Sequence, residues 1–226
     1  MPAKPKFTRE QLQTAALKIV DEEGLSALSM RALAAVLGTG PMTIYNYFHD
    51  RDELDTLLVE AVFSEVCLPE EQDDWREDVR AILLEMWQAI RSHPHVIPLV
   101  LTRRTSHEAT LEVAEALLRA LARSGCSADV LLAAFRTFNG FIVGLAQAQL
   151  GSATKGLDGS SDVHVAEAGA LPDDRFPRLR EIARVAAATN SDREFLVGVE
   201  FILAGMAKQF ATQPEEKSPG SWVAGN

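Results

Sequence analysis

Apolar residues return at three- and four-residue steps along nearly the whole chain, and no stretch alternates apolar with polar residues as a half-buried strand does. That one pattern restricts the fold class to all-α. Over Thr8 to Glu23, Leu12, Ala15, Ala16, Ile19 and Val20 share one helical face, with Thr8 as the expected N-cap and Gly24 as the stop. Ser29 caps a second, shorter helix to about Leu37, with Met30, Leu33, Ala34 and Leu37 inward and Gly38 at its end. The turn GTGP follows, then a third helix from about Pro41 to Phe48, where the missing N–H of Pro41 suits a first helical turn. Asp50, with Glu53 three residues on as an Asp version of the capping box, opens a fourth helix through Leu54, Leu57, Leu58, Ala61, Val62 and Val66.

Past the break CLPEEQDD, further helices are expected over about 75–92, 96–103, 108–124, 128–150, 178–188 and 192–210. Residues 151–174 and the tail 212–226 carry small and polar residues without period and read as mobile; the 151–174 loop, with His164, could serve as a lid or be plain disorder. The expected division is a head over 1–50, a body over 51–211 and the tail. Apolar runs are broken by charge or glycine within about a dozen residues, short of the roughly 20 that cross a bilayer, and no basic-then-apolar segment opens the chain. A cytoplasmic protein without a membrane partner is expected, and Cys67 and Cys126, 59 positions apart, read as free thiols.

The 226 residues carry a formal charge of −10, which disfavours a phosphate partner for the molecule as a whole. Its distribution matters more. Up to His49 there are five bases against four acids, so the head is near neutral on an acidic body. Two short helices joined by a glycine-containing turn, backed by a first helix, form the plan of a helix-turn-helix DNA reader. Ile44 and Phe48 then supply the inner face of the third helix, and Pro41, Met42, Thr43, Tyr45, Asn46 and Tyr47 are left for the outer one.

The segment from Phe7 to about Val66 resembles the N-terminal domain of tetracycline-repressor (TetR) family regulators. It carries DEEGLSALSMRALAAVLG, TIYNYF and RDEL where the family has a glycine-terminated first helix, [ST]xRxLAxxLG, [ST][LIV]Yx[HY]F and K[DE]xL. The ending FLVGVEFILAGMAKQF is similar to the FxxGLxxLLxGL of the tetracycline-repressor subgroup. The resemblance implies a homodimeric repressor that binds a palindromic DNA operator and is released by a small molecule; the effector is expected to be lipophilic, and no cofactor is expected. It also implies that Arg31 and Thr43 reach base edges or nearby phosphates and that Tyr45, Tyr47 and Arg51 contact phosphates, with Lys4, Lys6 and Arg9 as a basic arm. The chain departs from the family at His49, often lysine there, and its third helix has no Lys or Arg.

In the body, Gly140 and Gly144 on one long apolar segment and Gly198 and Gly205 on another suggest close helix approach, within the protomer or, as the resemblance implies, across a dimer. The expected effector pocket draws on Met86, Trp87, His93, Arg103, Arg104, His107, Phe135, Phe138 and Asn139. His93 and His95, two apart across Pro94, do not share a helical face, so no metal site is assigned. The sequence shows no nucleophile triad, phosphate loop or HExxH, and an enzyme is not expected. The alternative to a repressor is a helical protein-interaction module that keeps the head without reading DNA.

Overall fold

The computed structural model describes residues 6–103, 107–150, 171–172, 174–186 and 190–212, and among these residues it is built of helices without strands. Helix α1 (Arg9–Glu23) starts at a full capping box: Thr8 Oγ1 accepts from Gln11 N, and Gln11 Oε1 accepts from Thr8 N at 2.9 Å. After a 3₁₀ turn (Leu25–Ala27), Ser29 caps α2 (Met30–Val36) by accepting from Ala32 N at 3.1 Å. Gly38, at φ 61°, turns the chain into α3 (Pro41–Tyr45), a left-handed conformation that glycine adopts without a Cβ clash. Helix α3 ends three residues before Phe48, because Tyr47 and Phe48 both donate to Ile44 O in a tightened last turn.

Helix α4 (Arg51–Ser64) is capped by Asp50, whose Oδ1 accepts from Glu53 N at 2.9 Å. The reciprocal half of the expected capping box is displaced by one residue: Glu53 accepts from His49 N at 2.7 Å, not from Asp50. That backbone N–H, and then the His49 ring, hold the exposed Glu53 carboxyl below its ordinary range. Helices α1, α2, α3 and α4 close over Leu12, Ala16, Leu33, Ile44, Phe48, Leu54 and Leu58.

The body contains α5 (Trp75–Ser92), α6 (Ile97–Thr102), α7 (Glu108–Ala122), α8 (Ala128–Leu150), α9 (Pro177–Ala186) and α10 (Ser191–Thr212). Helix α5 lies against α7, α8 and α10. Buried Trp87 of α5 stacks on Phe195 of α10 with centroids 4.9 Å apart, and Phe141 of α8 stacks on the same phenylalanine at 5.7 Å. Trp87 Nε1 donates to Asp192 Oδ1 at 2.8 Å, and Arg91 pairs with the same carboxylate. Asp192 is thereby held below the ordinary carboxylate range, first by Arg91 and then by the indole N–H.

One expectation about apolarity does not hold. Ala128–Ala148 of α8 has a mean hydropathy of 1.4 and is long and apolar enough, by length and composition, to cross a membrane. Its charges are confined to Asp129 and Arg136, and its glycines do little to lower hydropathy. Here α8 sinks Ala134, Phe138, Ile142 and Ala146 into the core, and only 17% of that window is buried within the protomer.

Candidate DNA interface and its coupling to the body

The start of the described chain is fastened beside α3. Phe7 N–H donates to the Tyr47 hydroxyl at 2.8 Å, and Lys6 Nζ donates to Thr39 Oγ1 at 3.0 Å. Thr39 in turn donates to Thr43 Oγ1 at 3.1 Å, so a chain of polar contacts runs from the arm through the turn into the reading helix. Tyr47 therefore does not face outward with Tyr45 as expected; it is half-buried, packed against the head's core and near the Phe7 ring. Its ring fills the angle between the arm and α3, and its hydroxyl keeps its own proton to donate.

The outer edge of α3 carries Pro41, Met42, Tyr45 and Asn46, all exposed, with Thr43 half-buried behind them. Arg31 on α2 is exposed and lines an open groove with Tyr45 and His49, a position from which a guanidinium can reach a base or a phosphate. Arg9 is engaged elsewhere: its Nε donates to the buried Glu60 carboxylate of α4 at 3.0 Å.

Arg51 and Arg103 are joined by Asp55, whose residue is 6% exposed. Arg51 donates from Nε to Asp55 Oδ1 at 2.7 Å, from Nη2 to Leu25 O at 2.9 Å and from Nη1 to Leu28 O. Those last two bonds use the carbonyls of the turn that leads into α2. Arg103, at the end of α6, donates from Nη2 to Asp52 Oδ1 at 2.7 Å and to Asp55 Oδ2 at 3.2 Å. Its bond and then its charge hold the Asp52 carboxyl below the ordinary range. Arg51 and Arg103, expected at phosphate and effector respectively, thus share one carboxylate that ties α6 to α4 and α4 to the helix-turn-helix. The i,i+4 spacing of Arg51 and Asp55 was a readable signal for the first link. Nothing local announced the second.

His93 likewise bridges head and body. Its side chain is 10% exposed, with Nδ1 at 2.8 Å from Asp21 Oδ2 of α1 and Nε2 at 2.9 Å from Glu65 Oε2 just past α4. The ring joins the head, the end of α4 and α5 at one point. Met86, Trp87 and Phe138 are buried and packed in the core, while Phe135 and Asn139 are half-buried and bonded to each other, Asn139 Nδ2 donating to Phe135 O at 2.8 Å. His107 is half-buried at the start of α7. A cavity of about 70 Å³ between α5 and α7, lined by Leu68, Ile82, Ala116 and Arg119, includes none of the expected effector set. Lys4, Arg104, the tail beyond Thr212 and most of the expected 151–174 loop lie outside the described residues.

Residues 12–54 match the family model of bacterial regulatory proteins, tetR family, and residues 68–210 match that of the tetracycline repressor-like C-terminal domain. The chain belongs to the TetR family. Its likeness to individual members agrees. Over 147 residues, 65% of this chain and 62% of the relative, it is 31% identical to an HTH-type transcriptional regulator of Saccharopolyspora erythraea. It is 28% identical to the HTH-type transcriptional repressor DrrR1 of Streptomyces coeruleorubidus, over 96% of this chain and 83% of that one. Among solved structures, apo ActR of Streptomyces coelicolor superposes with a TM-score of 0.76 at 28% identity, covering 92% of this chain and 99% of ActR; ActR has also been solved in complex with actinorhodin.

As a TetR-family protein the chain is a ligand-responsive transcriptional repressor whose helix-turn-helix is its DNA-binding part, in a family of regulators and not of enzymes. The family match ends its first segment at Leu54, within the first turns of α4. That is where the Arg51–Asp55–Arg103 link joins the head to the body.

Proposed function

We propose that this TetR-family repressor works as a homodimer, paired through α8 and α10, that sets two α3 helices on the half-sites of a palindromic operator and leaves it when a small lipophilic effector enters the body. The observation that carries the pairing is the uncovered outer face of these two helices. Phe201 is 75% exposed, and Leu132 and Val197 are exposed as well. Apart from their own helix backbone and chain neighbours, no atom of the described residues lies within 4 Å of where a Cβ would sit on Gly140, Gly144 or Gly205. Glycine costs a helix roughly 1 kcal/mol against alanine, and the described neighbours within the protomer do not account for it at these three positions. Close approach of a second copy does, as in a four-helix contact.

DNA contact is assigned to Arg31, Pro41, Met42, Thr43, Tyr45 and Asn46 directly, with Lys6 and Tyr47 holding the arm in place. ActR in complex with actinorhodin supports a small-molecule effector here. The route of release runs through Arg103: a shift of the α6 end moves Asp52 and Asp55, and with them Arg51 and the turn before α2. Gel retardation with the DNA upstream of the protein's own gene tests the reading, saturable and sequence-dependent binding being expected. No retardation at low salt would refute it. Light scattering tests the pairing, and a monomeric mass at micromolar concentration would refute that part alone.

A further inference from the structure

We propose that this repressor selects its operator through thymine methyl groups, read by the side chain of Met42 on the first turn of α3. The inference rests on DNA binding by the head and names what the head reads. From Gly38 to Phe48 the chain has no charged residue. Ile44 and Phe48 are buried, and Tyr47 is half-buried with its hydroxyl engaged by the arm. Thr43 Oγ1 already accepts the Thr39 proton. The surface left to meet DNA is Pro41, Met42, Tyr45 and Asn46 with the half-buried Thr43 behind them, flanked on α2 by Arg31 and the half-exposed Val36.

Among the described residues of the head, Met42 is the most exposed large hydrophobic side chain, at 75%. It carries no N–H or O–H donor, and its thioether is only a weak acceptor. In the major groove each base edge displays donors and acceptors, and thymine alone adds an apolar C5 methyl. Pressing Met42 onto a polar edge would strip that edge of water and return no hydrogen bond, whereas pressing it onto a methyl removes apolar surface from water on both sides. Cytosine presents an amino group and no methyl, so it is disfavoured under the same side chain. The unbranched, flexible methionine chain can follow a methyl over a small range of docking angles. Guanine readout through a bidentate guanidinium is open only to Arg31 on α2, since α3 has none.

The test begins by selecting an operator for the full-length protein from a random duplex pool, then replacing each thymine of the selected site with deoxyuridine, which removes only the methyl. One position per half-site should weaken binding about fourfold, and both together about fifteenfold, as expected for one methyl per half-site. In Met42→Ala that loss should vanish. The substitution removes an exposed side chain and leaves the fold intact. If no deoxyuridine position weakens binding, or if the loss persists in Met42→Ala, the methyl reading is overturned while DNA binding stands. A pool that is bound at low salt without any enriched sequence overturns the methyl reading while DNA binding stands, and a pool that is not bound at all overturns DNA binding by the head, and this inference with it.

Discussion

Gly198→Ala sets two effects of known size against each other. Alanine in the interior of α10 gains roughly 1 kcal/mol of helix propensity over glycine. Its Cβ, however, would lie 2.2 Å from Phe141 Cζ and 2.6 Å from Cε2, far inside normal contact. The ring must move by more than 1 Å to restore an ordinary separation of about 3.5 Å. It is not free to swing, because it stacks on Phe195 at 5.7 Å, and Phe195 is itself stacked on buried Trp87. Overpacking of this kind costs about 1–3 kcal/mol, so the net expectation is a loss of about 1 kcal/mol. Urea unfolding at one fixed protomer concentration measures it, since concentration alone shifts the stability of a dimer. Phe141→Leu removes the atom in closest conflict. The double variant should therefore lose about 2 kcal/mol less than the two single losses summed, the cost of the relieved overpacking. If Gly198→Ala proves stabilising by the full propensity gain, and the cycle shows no coupling, the close packing of α8 on α10 within the protomer is not as described.

Three further outcomes follow from the same contacts. His93→Ala leaves the Asp21 and Glu65 carboxylates without the imidazole between them; as both are partly hydrated, a loss of about 2 kcal/mol in urea unfolding is expected, and no loss would mean that the ring does not bridge head and body. Asp192 has a folded-state pKa below its unfolded one, so its stabilising contribution is complete above the unfolded carboxylate value, about 3.9, and disappears as pH falls through the lower folded value. Asp192→Asn should flatten that part of the acid profile followed by Trp fluorescence, and an unchanged profile would contradict the assignment. Tyr47→Phe removes the acceptor of the Phe7 N–H and loosens the arm that carries Lys6, so binding to all DNA sequences should weaken alike, with a shallower salt dependence and little change in unfolding. A changed sequence preference would place Tyr47 at a base edge instead.

The sequence by itself determined the helices, their caps and the plan of the head. Thr8, Ser29 and Asp50 cap where expected, Gly38 turns where expected, and Ile44 and Phe48 are buried as their spacing requires. These features obey rules that act within about four residues, so a linear reading can apply them. The tertiary structure alone decided what the polar side chains do. Tyr47 meets Phe7 from 40 residues away, Arg103 meets Asp55 from 48, and His93 meets Asp21 from 72. A side chain's period says which face it occupies, and it is silent on what another helix brings to that face. Arg51, Arg103 and His93 became joints between head and body for that reason. A carboxylate buried on one helix, such as Asp55, must find its cation wherever packing places one, and only the folded chain selects which arginine is within reach.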